Sequence, residues 1–386
     1  MATSTTGRMF GLDLLRALAV LSVVVGHALV FSRVNSGWLL GYVAPLGTIG
    51  VEIFFVLSGF LIGHILLRSA DANQLSNATG LFKFWIRRWT RTLPLYFVFL
   101  FIYLLADTAD ANRYSYAWRY ATLTQNLAWP NPRFFAHSWS LSVEEWFYIF
   151  VPIAIAGTTA LTSMKRGRRF LLIAFVFMAI PMVFRLVLLH NVTDVSTYDA
   201  YIRKCVFCRI DSLFIGVAAA YIRLYHKNIF DRLGRRWQVT LPAFVLVAGV
   251  TLLPAVVNAT ITNPLVAAAY FPLLSISIAL VLAAATRLQT FRASALDKFI
   301  VGTAKISYSL YLGHVLVLML IFSNETILER LTSASRKATA LGVAFGLCYA
   351  LAAATYIAVE RPFMRWRNAH IRENDVQKGP VAVMVG

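Results

Sequence analysis

Ten apolar stretches, most of about 17 to 25 residues, divide this chain, and a run of that length is what an α-helix needs to cross a lipid bilayer. In the first half they are Phe10–Phe31, Ile49–Leu67, Leu93–Ala106, Trp139–Leu161 and Phe170–Leu189. Val206–Tyr221, Val239–Val257, Pro264–Ala285, Ile306–Phe322 and Ala338–Val359 follow in the second. The third is short and the sixth is interrupted by charge. Hydrocarbon offers no water to backbone N–H and C=O groups, so spans with this uninterrupted pattern close their hydrogen bonds internally, as helices. Hydrophobic residues make up 59% of the 386 and charged residues 14%, more apolar surface than a water-soluble core could use. The expected fold is an all-α integral membrane bundle of about ten transmembrane helices over residues 1–370, with no soluble domain. Residues 371–386 read as a polar cytoplasmic tail without a fixed conformation.

A net charge of +19 invites a nucleic-acid partner, but the cations are sorted by side of the membrane. With loops assigned alternately, 24 of the 36 Lys and Arg residues fall on one side and nine on the other. Arg16, Arg185 and Arg209 lie within spans or at their edges. The positive-inside rule then places both termini in the cytoplasm of a cell-membrane protein. The basic balance is mostly topology, with the remainder available to anionic lipid or an anionic substrate. Asp13 and Arg16 inside the first stretch, and the lack of a clear small-x-small cleavage site, argue for a retained span over a secretory signal. Cys205 and Cys208 have CxxC spacing, but a metal site needs more ligands, so they read as two thiols and no metal is expected.

Arg16 and His27 share the first stretch. At 100° per residue, the eleven positions between them amount to about three turns, which returns the two side chains to within roughly 20° of one face, about 16 Å apart. Ionisable side chains in a span cost about 2.5 to 3.5 kcal/mol each at its centre on insertion scales and usually face a protein interior. His27 lies near the outer end of its span. Glu144 and Glu145, in HSWSLSVEEWFYIFVP, lie just inside the outer start of the fourth. The two motifs therefore predict an outer layer in which a carboxylate accepts a hydrogen bond from the imidazole and raises its basicity, as suits a general base. Glu52, Arg209 and Asp211 fall in the same layer and are candidate substrate-binding residues. Toward the cytoplasm the character becomes cationic, with Arg16, Arg87, Arg88 and Arg91 suited to bidentate contact with phosphate. Leu81–Thr92, which carries three of these cations, is either an interfacial helix or the start of the third span. His314, in KISYSLYLGHVLV, is expected to be structural or pocket-lining.

Taken together, these segments resemble the acyltransferase-3 family of integral membrane O-acyltransferases, whose members acylate polysaccharides, lipid-linked glycans, Nod factors and some macrolides. GLDLLRALAVLSVVVGH resembles the family's first span, GTIGVEIFFVLSGFLI its second, FWIRRWTRTLPLYF its third and HSWSLSVEEWFYIFVP its fourth. CRIDSLFIGVAAA, KISYSLYLGHVLV and VERPFMRW match weaker later motifs. The resemblance implies His27 as catalytic histidine with Arg16 as its partner, Glu144 and Glu145 as the acidic pair, and Arg88 and Arg91 as the Arg-x-x-Arg motif. It also implies an acyl-CoA donor, most often acetyl-CoA, with no permanently bound cofactor.

The acceptor would be a carbohydrate-containing hydroxyl compound, such as a cell-surface polysaccharide or its lipid-linked precursor, or else a macrolide or other small glycosylated metabolite. Transfer could be direct or pass through an acyl-histidine. Many relatives carry a C-terminal extracytoplasmic hydrolase-like domain. This chain ends at Gly386, so handover is expected on the membrane domain or with a separate partner protein. A proton-coupled transporter is the competing class, since buried His, Glu, Asp and Arg also form proton relays, though the paired broken spans of transporters are not visible in the sequence.

Overall fold

The structure is a computed structural model that describes residues 9–33, 43, 45–106, 112–251, 253–288, 294–323 and 333–371. The tail from Arg372 onward lies outside the described residues, as do the loop cations Arg8, Arg292 and Arg330. All regular structure among the described residues is helical. Its main elements are α1 (Phe10–Phe31), α2 (Leu46–Asp71), α3 (Ala78–Ala106), α4 (Trp139–Leu161), α5 (Arg166–Leu188) and α6 (Ile210–Tyr225). They continue with α7 (Trp237–Thr251), α8 (Pro264–Ala285), α9 (Ala295–Lys305), α10 (Ser307–Phe322), α11 (Ala334–Thr355) and α12 (Arg361–His370). Several starts are written locally. Asn263 caps α8 by accepting from the Leu265 and Val266 amides, and Pro264 occupies the first turn, where its missing N–H costs nothing.

Among the described residues seven helices are long and apolar enough to cross a membrane, and the pair α9–α10 makes an eighth if its 76° bend at Ile306 counts as one broken span. The stretches expected as the sixth and seventh spans form helices of 16 and 15 residues, shorter than a full crossing. One ambiguity is resolved by α3, which runs unbroken for 29 residues through the cationic segment. Arg87, Arg88 and Arg91 therefore belong to the third helix, and the short apolar run Leu93–Ala106 is only its second half. The last long helix carries a π-turn at Tyr356–Glu360 between α11 and α12, a deviation often found at functional sites.

Burial sorts the helices into centre and periphery. Over its most apolar window α2 is 83% buried, against 22% for α5 and 17% for the α11–α12 helix. Peripheral helices turn residues such as Leu171, Phe175 and Val187 outward, as a lipid-facing surface requires. At the centre α2 packs most extensively on α6. Glycine makes that approach possible, because a Cβ on Gly59 would stand 1.8 Å from the Leu213 carbonyl oxygen and one on Gly216 would stand 2.1 Å from that of Val56. Small residues at a membrane helix interface allow this backbone proximity. Gly59→Val should force the pair apart and cost about 1 to 3 kcal/mol or more, as overpacking does. A fall in the unfolding midpoint of the detergent-solubilised protein is the expected reading, and an unchanged midpoint would refute the contact.

Candidate active site

A cavity of about 120 Å³ opens between α1, α2, α3, α4 and α10. Arg16, Arg88, Arg91, Ser58, Glu144, Tyr148, Tyr308 and Tyr311 are among its lining residues. Each helix contributes a polar side chain from an otherwise apolar run, and the bundle turns those side chains toward one another.

Glu144 lines the cavity and accepts hydrogen bonds from Tyr148 at 2.9 Å and Ser58 at 3.2 Å. Glu145, about 100° further round the helix, is 3% exposed and accepts from Thr92 of α3 at 2.7 Å. Arg88 is buried beside this acidic pair, within electrostatic range of both carboxylates. At the same end Tyr308 donates to the Thr92 carbonyl at 2.6 Å and Ser309 donates to Glu360 at 2.9 Å, which joins α10 to α3 and to the π-turn. Arg16 lies 3.7 Å from the buried Asp13 on its own helix.

His27 sits elsewhere. It is half-buried, and its Nδ1 lies 3.0 Å from Nε2 of the fully buried His314 on α10. The His314 Nδ1 faces the carbonyl oxygens of Tyr311 at 2.7 Å and Leu310 at 3.2 Å. His137, in the turn that leads into α4, approaches His314 at 5.5 Å between ring centroids and bonds the Leu312 carbonyl through Nε2 at 3.1 Å. Tyr311 connects the two regions. Its ring lines the cavity and stands 5.9 Å from His314, while its hydroxyl donates to the His137 carbonyl at 2.8 Å and shares a 2.7 Å hydrogen bond with Ser140. The loop cations Arg203 and Lys204 are within electrostatic range of His27. Both pair with Asp199, and although burial works against that carboxylate, the two cations more than offset it and hold it down to about 2.

Two sequence expectations change here. Glu144 and Glu145 do not contact His27 among the described residues; Glu144 lines the cavity with Arg16, Arg88 and Arg91, and Glu145 is buried beside Thr92 and within electrostatic range of Arg88, so the carboxylates gather with the cations. Leu81–Thr92 is part of α3, and Arg88 lies ten residues, or about 15 Å, along that helix. In a low-dielectric interior opposite charges gather because each lowers the other's burial cost.

Glu52, Arg209 and Asp211, expected to bind substrate, do not line the cavity. Glu52 pairs with Arg209 and accepts from Ser275 at 2.9 Å, while Asp211 pairs with Arg185 at 2.7 Å. All four ion-pair members are at most 1% exposed, and they tie α2, α5, α6 and α8 together. The sequence reading missed His314 and His137 as neighbours of His27. One signal was present, since Tyr308, Tyr311 and His314 recur every three residues and so follow one stripe of a helix.

No solved structure matches the chain. A family model described as an acyltransferase domain matches residues 9–359. A provisionally named O-acetyltransferase of Staphylococcus aureus strain MSSA476 is 30% identical over 345 residues, covering 82% of this chain and 51% of the relative. The peptidoglycan O-acetyltransferase OatA of Listeria monocytogenes is 33% identical over 159 residues, 36% of this chain and 23% of the relative. The O-acetyltransferase OatA of Staphylococcus aureus strain NCTC 8325 is 30% identical over 231 residues, 55% of this chain and 34% of the relative. The chain spans about half the length, or less, of these curated relatives. With the family model covering nearly all of the bundle that builds the cavity and the histidine cluster, the chain belongs to the acyltransferase-3 family.

Proposed function

We propose that this protein transfers an acyl group, most simply acetyl, from a cytoplasmic acyl-CoA to a hydroxyl of a carbohydrate-containing acceptor at the cell surface or on its lipid-linked precursor. One observation supports the reading above others: the cavity lined by Arg16, Arg88 and Arg91 also has Tyr311 in its wall, and the Tyr311 ring stands beside His314, which is bonded to His27. The guanidinium groups suit the phosphates of CoA. Its pantetheine arm is a long flexible chain, suited to carry a thioester from the cations toward a histidine about 16 Å further along α1.

In this reaction the His27 imidazole takes the acceptor hydroxyl proton as the oxygen attacks the thioester carbonyl carbon. The new C–O bond forms, the C–S bond breaks, and CoA leaves as the thiolate, to be protonated at the end of the cycle. Glu144 and Glu145 act from the cavity side, balancing and orienting the arginines that hold the donor. The proposed topology has ten membrane passages with both termini in the cytoplasm, α6 and α7 being short crossings. The name of the Listeria relative, a peptidoglycan O-acetyltransferase, favours a cell-wall polysaccharide as acceptor.

Membranes containing the chain, incubated with acetyl-CoA labelled in the acyl group and fractionated glycans, should deposit label in a glycan fraction detectable by mass analysis. No label in any fraction, with CoA left unconsumed, would overturn the reading. Arg91→Ala should raise the donor KM about tenfold or more with a smaller change in kcat, as expected for lost donor binding. An unchanged donor KM would remove Arg91 from the donor site.

A further inference from the structure

We propose that His314 is a positioning residue that holds His27 in the Nδ1–H tautomer, so that the Nε2 lone pair of His27 is the one presented to the reacting hydroxyl. The inference rests on the reading of His27 as the base and adds which nitrogen acts and what selects it. Backbone carbonyls only accept hydrogen bonds, so the His314 nitrogen facing the Tyr311 and Leu310 oxygens, Nδ1, carries a proton. A second proton on Nε2 would make His314 an imidazolium in a site that is 0% exposed, where among the described residues no carboxylate contacts the ring. Burying an unpaired charge is far more costly than keeping the ring neutral. His314 Nε2 is therefore an acceptor, and the group 3.0 Å away, His27 Nδ1, is its donor. A neutral imidazole holds one proton, which leaves His27 Nε2 unprotonated.

His137 reinforces the arrangement. Its Nε2 donates to the Leu312 carbonyl and, among the described residues, its buried Nδ1 has no hydrogen-bond partner, so it is neutral as well. The same turn of chain anchors Tyr311 through the His137 carbonyl, and Tyr311 supplies one of the two oxygens that orient His314. When His27 gains the acceptor proton on Nε2, its Nδ1–H remains bonded to His314, which stabilises the resulting imidazolium without taking the proton. The arrangement serves the function that a carboxylate serves in a Ser-His-Asp triad, with a neutral acceptor in its place.

Three measurements on the full chain in membranes decide the matter. His314→Leu, which keeps the volume and removes the acceptor, should lower kcat about 100-fold or more while donor and acceptor KM stay within about threefold. His314→Gln, whose side-chain carbonyl can accept at the reach of the lost Nε2, should recover at least about tenfold of that loss. Carbon and nitrogen NMR of isotope-labelled histidine, assigned to His27 by its loss in His27→Ala, should show Nδ1–H in the wild type and in His314→Gln, and a mixture or Nε2–H in His314→Leu. A wild-type spectrum showing Nε2–H overturns the proposal, as does a His314→Leu kcat within about threefold of wild type. The spectrum needs no turnover. Should His27→Ala retain activity, the reading of His27 as the base falls, and the tautomer assignment is still decided by itself.

Discussion

His27→Ala and His27→Gln should each abolish detectable acyl transfer, a loss of at least about 10² to 10⁴ in kcat, with expression and membrane insertion unchanged. The proposed role rests on where the imidazole sits. It is half-buried on a continuous helix, on a different side of Tyr311 from the cavity that gathers the arginines, and it is bonded to His314. Glutamine matches part of the ring's hydrogen bonding but takes no proton at neutral pH, so it separates base chemistry from packing. If His27 served only to hold α1 against α10, His27→Gln would retain much of the activity and His27→Ala would lower thermal stability. Turnover retained in either variant removes His27 as the base. Loss of both transfer and CoA release is the expected result, measured with the labelled-donor assay and with free thiol formation.

The largest stability effect is expected at Glu52 and Arg209. Both are 0% exposed, and the guanidinium lies 3.5 Å above the Phe271 ring and donates to the Arg203 carbonyl at 3.0 Å. Arg209→Met would leave the Glu52 carboxylate without its counter-ion in an interior that, among the described residues, offers it the Ser275 hydroxyl as hydrogen-bond donor. Breaking a buried pair in this way costs about 3 to 5 kcal/mol, whereas replacing both partners by apolar groups is often neutral or stabilising. The unfolding midpoint of the solubilised protein should therefore drop sharply for Arg209→Met and recover most of the loss in Glu52→Leu/Arg209→Met. A double variant as unstable as the single would show that the pair is not what holds α2 to α6. A stable double variant with a raised acceptor KM would return these residues to a substrate-binding role.

The two experiments mark different layers of the molecule. His27 and Arg16 stand out in the sequence because charge is expensive in apolar runs, and Arg88 and Arg91 because they cluster cations just before the third run; an expensive residue needs a partner or a purpose. That logic identifies the candidates without identifying their partners. It paired His27 with Glu144 or Glu145, since all three stand near span ends assigned to the same side. In the structure α3 begins fifteen residues before Leu93, and that added helix holds Arg88 buried beside the acidic pair. Glu52, Arg209 and Asp211 carried the same signal of costly charge as the active-site candidates. They proved to be paired with one another and with Arg185, which the sequence could show only as an isolated arginine in the fifth stretch.

By itself the sequence determined that this chain is a helical membrane protein, where most of its long helices run, and that Arg16 and His27 share one stripe of α1. Those properties follow from local quantities: apolar run length, the transfer cost of charge and the 100° advance of a helix. The tertiary structure decided the rest: that His314 and not a carboxylate meets His27, that Glu144 and not Glu145 lines the cavity, and that α9 and α10 break at Ile306. Each depends on how far one helix slides and rotates against another. Side-chain packing and buried charge pairing set those offsets between residues hundreds of positions apart, and no local pattern encodes them.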